Sequence, residues 1–158
     1  VTWHVVRPWL GTAARLIVGG VWIVAGALKV GNITASGRSV VAYRILPFDA
    51  SMGLGAVLPL LEIALGLLLL LGLATRVAAI ASVVLFAVYI GAIASVWARG
   101  LRIDCGCFGT GGALTGDQRP QYALEILRDI ALLLVAGFLA VFPRSRVSLD
   151  GRLLEGAS

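Results

Sequence analysis

The sequence predicts an all-α integral membrane protein: an antiparallel four-helix bundle with a short interfacial helix and a cysteine-bearing loop between its third and fourth spans. Three observations carry that reading. Hydrophobic residues make up 59% of the 158 residues against 13% charged, and mean hydropathy is +0.99, a balance suited to lipid. Apolar runs recur at lengths that match a hydrocarbon core of about 30 Å. The net charge of +5 comes mainly from arginines at the ends of those runs. Cations so placed anchor helices to headgroups, which makes the bilayer a partner and does not imply nucleic acid.

The elements follow in order. Trp3, Arg7 and Trp9 form an aromatic and basic mixture suited to the interface, and Pro8 argues against a helix starting before it. A first span covers about residues 13–30, with Arg15 and Lys29 placed to snorkel. Its Gly19, Gly20 and Gly26 form a smooth strip where another helix can approach. Residues 31–51 are too polar to span. Within them Val41, Ile45 and Leu46 predict a short interfacial helix over Ser39 to Leu46, closed by Pro47. The second span, about 53–73, carries a single charge, Glu62, three residues after Pro59. A carboxylate at that depth requires a partner or a proton. Arg76 lies in a very short turn, so the third span, about 77–98, returns antiparallel.

Residues 99–121 form a loop rich in turn formers, and 143–158 a short tail, so the whole of 1–158 reads as one transmembrane domain. The fourth span is the informative one. Its uncharged part, Ile130 to Phe142, is too short to cross at 1.5 Å per residue. The span therefore covers about 122–142 and draws Glu125, Arg128 and Asp129 into the bilayer edge. Alternating crossings bring Lys29, Glu62, Arg99, Arg128 and Asp129 to the cysteine side of the bundle, with Glu62 to Arg128 the expected ion pair. A cationic excess there would favour a thiolate.

The chain has two cysteines, both in Asp104-Cys105-Gly106-Cys107-Phe108-Gly109. Cα atoms about 3.8 Å apart along the chain reach disulfide range, about 4.4 to 6.8 Å, only if the chain bends between them. Gly106 makes that bend easy, and so small a ring is strained and readily reduced, which suits exchange. A bridge closing so short a loop removes little unfolded-chain entropy, which weakens a purely stabilising role. No metal site is expected, since His4 is the lone histidine and lies far away in the chain. Arginines concentrated in the N-terminus, the Arg76 turn and the tail (Arg144, Arg146, Arg152) place the termini in the cytoplasm. The cysteines then face the oxidising side of a cytoplasmic (inner) membrane.

Several stretches together resemble the MauE family, within the wider DoxX-like group of four-helix membrane proteins. They are the cysteine motif, Pro59-Leu60-Leu61-Glu62-Ile63-Ala64-Leu65-Gly66, Tyr43-Arg44-Ile45-Leu46-Pro47, Arg15 through Lys29, and Leu127-Arg128-Asp129. The resemblance implies a role beside an extracytoplasmic thioredoxin-like partner, or other membrane redox subunits, in forming or maintaining disulfides of exported proteins. On the matched positions it makes Cys105 and Cys107 the redox pair and Glu62, Arg128 and Asp129 supporting polar residues. Asp104, Gly106, Phe108 and Gly109 shape the loop.

The expected activity is thiol-disulfide exchange: one cysteine attacks a partner disulfide and the other resolves the mixed disulfide, or the reverse. A single pair cannot relay electrons between two internal disulfides. The second substrate is therefore another protein's thiols or a quinone among the helices, and no other cofactor is implied. Two other readings compete: a non-catalytic membrane anchor of an oxidoreductase complex, and a small-solute carrier working through its intramembrane charges. The absence of an internal repeat counts against the carrier.

Overall fold

The computed structural model describes residues 2–106, 112–114, 116 and 119–143. They form α1 (Trp3–Val30), α2 (Ile33–Ala42), α3 (Phe48–Leu71), α4 (Thr75–Ala98), β1 (Ile103–Asp104), β2 (Gly112–Ala113) and α5 (Tyr122–Val141). Three helices, α1 from Val5 onward, α3 and α4, are long and apolar enough to cross a membrane. The chain is thus an α-helical membrane protein. The fourth, α5, carries Glu125, Arg128 and Asp129 in its first turns and packs along α4.

The long helices pair through small residues. α1 lies on α3, and a side chain at Gly26 would collide with Ile63 and the Pro59 carbonyl, while one at Gly66 would collide with Ile23 and the Gly19 carbonyl. Such contacts let two backbones approach closely where lipid offers no hydrophobic driving force. Gly20 faces open space and takes no part in the strip.

The core of this half is Val18, Trp22, Leu69, Phe86, Ala136 and Leu139. Trp22 stacks on Phe86 with centroids 4.4 Å apart and donates from Nε1 to Ser82 Oγ at 2.9 Å. Ser82 in turn donates to the Ala78 carbonyl. Arg15 does not snorkel. It is 3% exposed and donates from Nε to the Leu69 carbonyl at 2.6 Å and from Nη2 to the Leu70 carbonyl at 3.1 Å. It thereby adds charged hydrogen bonds to carbonyls of the last turn of α3, where the i→i+4 partners of the helix run out.

Three boundaries differ from the sequence reading. α1 begins at Trp3 and runs through Pro8, which sits in its second turn and removes one i→i−4 hydrogen bond without ending the helix. The short helix ahead of α3 is α2, Ile33–Ala42, not Ser39 to Leu46. Asn32 caps it by accepting from the Ala35 amide at 3.0 Å, and its buried face is the small set Ser36, Gly37 and Ser39. Gly37 abuts Gly55 of α3, and Ser36 Oγ donates to the Gly55 carbonyl at 2.7 Å. Arg44, at φ +52°, then turns the chain into α3. α3 starts at Phe48, ahead of the expected 53, with Asp49 in its first turn, where a carboxylate complements the helix dipole.

Candidate functional site

The site lies where the loop meets the ends of α1, α2, α4 and α5. β1 and β2 pair antiparallel, with Ile103 opposite Ala113 and Asp104 opposite Gly112. Tyr122, at the start of α5, fixes this hairpin to the bundle. Its hydroxyl accepts from the Ile103 amide at 2.9 Å and donates to the Leu101 carbonyl. From the other side Tyr43 donates to the Cys105 carbonyl at 3.0 Å. Arg99 ties the same corner by donating to the carbonyls of Tyr43 and Arg44. Asp104 Oδ1 accepts from the Gly106 amide at 3.1 Å, and Gly106 takes φ +73°, a left-handed conformation open to glycine at little cost.

These anchors bury Cys105, 8% exposed, among Ile93, Val96, Ile103 and Tyr122. Its thiol lies beside the Glu125 carboxylate. Donor atoms of Asp104, Cys105 and Glu125 all lie within 4.8 Å of one another. One soft sulfur and two hard oxygens fall short of a closed tetrahedral zinc set. They do suit proton transfer, because a carboxylate in contact with a thiol can take its proton or return it. Cys107, Phe108 and Gly109 lie outside the described residues, as does the tail beyond Pro143.

Cys105 borders two cavities of different character. A cleft of about 410 Å³ on the α5 side is lined by Asp104, Arg119, Gln121, Glu125 and Arg128 as well as Cys105. A second cavity, about 360 Å³, lies between α1, α2, α3 and α4 and is mostly aliphatic, with Lys29, Tyr43 and Tyr89 on its wall.

The expected pair of Glu62 with Arg128 does not form. Glu62, fully buried, accepts at Oε1 from Lys29 Nζ at 2.5 Å and from the Tyr89 hydroxyl at 2.5 Å. Arg128 instead bonds its neighbour Asp129, Nε to Oδ1 at 2.9 Å. The reason is geometric: α1 is the helix packed most closely on α3, so Lys29 reaches Glu62 first. Asp129, 2% exposed, also feels the charge of Lys29, which joins the two groups into one polar zone. Among the described residues Glu62 Oε2, Glu125 Oε2 and Asp129 Oδ2 are buried without a hydrogen-bond partner. The charged groups nearest the thiol are the Asp104 and Glu125 carboxylates, with Arg119 and Arg128 on the same cleft wall.

Lys29, Glu62, Arg128 and Asp129 stood out in the sequence as charges in or beside apolar runs, whereas the contacts of Glu125, Tyr43, Tyr89 and Tyr122 were not legible there. Glu125 stands four residues before Asp129, on the same helical face, and that spacing was the available signal.

The family described as Methylamine utilisation protein MauE matches residues 7–142. The chain belongs to the MauE family. A relative from Paracoccus denitrificans, Methylamine utilization protein MauE, is 29% identical over 154 residues, covering 97% of this chain and 79% of that protein. No solved structure matches the chain. The family match takes in every described residue of the site, from Lys29 on α1 to Asp129 on α5.

Proposed function

We propose that this MauE family protein exchanges disulfides with a thioredoxin-like partner outside the cytoplasmic membrane, using Cys105 and Cys107. The observation that carries the reading is the Cys105 thiol set within 4.8 Å of the Glu125 carboxylate, on the wall of one cleft beside the loop. A static thiol needs no proton acceptor. A reacting one does.

In the direction that oxidises the partner, a partner thiolate attacks the Cys105–Cys107 disulfide and forms a mixed disulfide. The protein sulfur that leaves takes a proton, and for Cys105 the donor is Glu125. A second partner thiolate then attacks the mixed disulfide, releasing the other protein cysteine as a thiol and the partner as a disulfide. Two electrons and two protons move from partner to protein, and the reverse sequence reduces the partner.

In this reading α5 is the fourth crossing, from Tyr122, which completes a DoxX-like four-helix bundle with its loop extracytoplasmic and its termini cytoplasmic. Glu125 and Asp129 then lie just inside the outer boundary, beneath the cysteines. The name of the Paracoccus relative ties that protein to methylamine utilisation, and exchange chemistry is compatible with that pathway and with others.

Single variants Cys105→Ser and Cys107→Ser test the chemistry. With one sulfur gone the mixed disulfide cannot be resolved internally, so at least one single variant should accumulate a reducible covalent adduct with an extracytoplasmic thioredoxin-like protein. The double variant should form none. If neither single variant traps an adduct and the double variant leaves the partner's redox state unchanged, the chain is a non-catalytic anchor.

A further inference from the structure

The aliphatic cavity beside Cys105 has a character that packing alone does not explain. At about 360 Å³ it falls within the roughly 300–1,000 Å³ of small-molecule sites. Ile45 and Leu46 in the turn before α3, with Leu54 and Leu61 of α3 and Val88 of α4, line it and are exposed, so its occupant enters from lipid. Its inner wall is polar. Lys29 sits there with three N–H donors, of which Glu62 Oε1 takes one, and Tyr89 stands beside it with its ring 5.4 Å from Nζ. Cys105 and Gly106 close the end nearest the loop.

We propose that this cavity binds a membrane-soluble quinone that serves as the two-electron oxidant of the Cys105–Cys107 pair, an inference that rests on the exchange reading above. An acyl chain would fill the aliphatic part and leave the Lys29 ammonium facing hydrocarbon. A quinone has the same apolar body and adds a ring carbonyl that accepts from Lys29. The position of Cys105 matches this task, since it borders the polar cleft from one side and the aliphatic cavity from the other. A chain with two cysteines must reload the same pair that its partner discharges. In the reloading step both S–H bonds break, one S–S bond forms, and two electrons and two protons pass to the quinone, whose two carbonyl oxygens become the hydroxyls of a hydroquinone.

The test uses the full-length protein in phosphatidylcholine nanodiscs, with the pair reduced and the reductant removed. Decylubiquinone is added without oxygen, and hydroquinone is followed by absorbance while thiols are counted by alkylation mass shift. One hydroquinone should form for each pair oxidised. Leu54→Trp and Val88→Trp enlarge exposed rim residues and should slow this reaction about tenfold or more, a loss of about 1.4 kcal/mol or greater. Both variants should react at the wild-type rate with a soluble aromatic disulfide, dithiobis-nitrobenzoate, which also shows that they are folded.

If the wild type reacts with the soluble disulfide and not with decylubiquinone, or if both tryptophan variants react with the quinone at the wild-type rate, the quinone site is refuted and the exchange reading stands. If neither reagent oxidises the pair, both proposals fail.

Discussion

The two halves of the bundle treat their polar groups in opposite ways. In the half around the α3–α4 turn, two buried polar side chains each end on a backbone carbonyl or a neighbour built to receive them, and the unpartnered Arg7 Nε belongs to a guanidinium that lies over the Phe142 ring. Arg15 closes the end of α3, and Trp22 passes through Ser82 to the Ala78 carbonyl. In the half beneath the loop, Glu62, Glu125 and Asp129 each keep one buried oxygen without a hydrogen-bond partner among the described residues, and two cavities open beside them. Buried polar atoms left unpaired are costly, so three of them in one half of the bundle, with Glu125 within 4.8 Å of the thiol, mark that half as the candidate site. Polar burial in a membrane bundle thus has two purposes, and the partners tell them apart.

Four substitutions would break or sharpen that contrast. The largest effect belongs to Lys29→Met, which strands the fully buried Glu62 and should cost about 3–5 kcal/mol in a denaturation series in detergent. Restoring neutrality with Glu62→Leu in the same chain should recover most of that loss. An unchanged midpoint in the single variant would mean that Glu62 has another counter-charge.

Glu125→Gln comes next and should separate chemistry from stability. Exchange should slow by about 10²-fold, the lower end of general acid–base effects, while the unfolding midpoint stays put. Its rate should also rise with pH toward the ordinary thiol value of about 8.5, because the thiol then titrates without its carboxylate partner. A midpoint shift with wild-type exchange would make Glu125 structural.

Arg15→Met is the mirror image. It removes two charged hydrogen bonds from the α3 end and should cost about 1.5–3 kcal/mol with no change in exchange rate. The smallest effect is Tyr43→Phe, which deletes the bond to the Cys105 carbonyl. The expected cost is about 0.5–1.5 kcal/mol, seen as faster hydrogen exchange at the loop and nowhere else.

How much of this was legible in the sequence follows the same division. Long apolar runs mark α3 and α4 by composition alone, since twenty or so residues with at most one charge have few other uses. The cysteine motif and the depth of Glu62 were equally plain. Partner identities were not, because they depend on which helices touch. Composition cannot say that α1 rather than α5 meets α3, so Lys29 was missed as the partner of Glu62, and Arg15 was read as a snorkelling cation. α2 was misplaced for a related reason: periodicity looks for large apolar side chains, and the buried face here is Ser36, Gly37 and Ser39. Glu125 was seen as a passenger of a helix that had to start early, and only the packing of the loop on Tyr122 brings it to the thiol.

The most direct test of the redox reading is the state of Cys105 and Cys107 in intact cells, read with a membrane-impermeant thiol reagent before and after mild reduction. Labelling that appears only after mild reduction is the expected result, and it reports a labile disulfide on the outer face. Cysteines that resist the reagent after strong reduction, and label only once the membrane is permeabilised, would place the loop in the cytoplasm and contradict extracytoplasmic exchange.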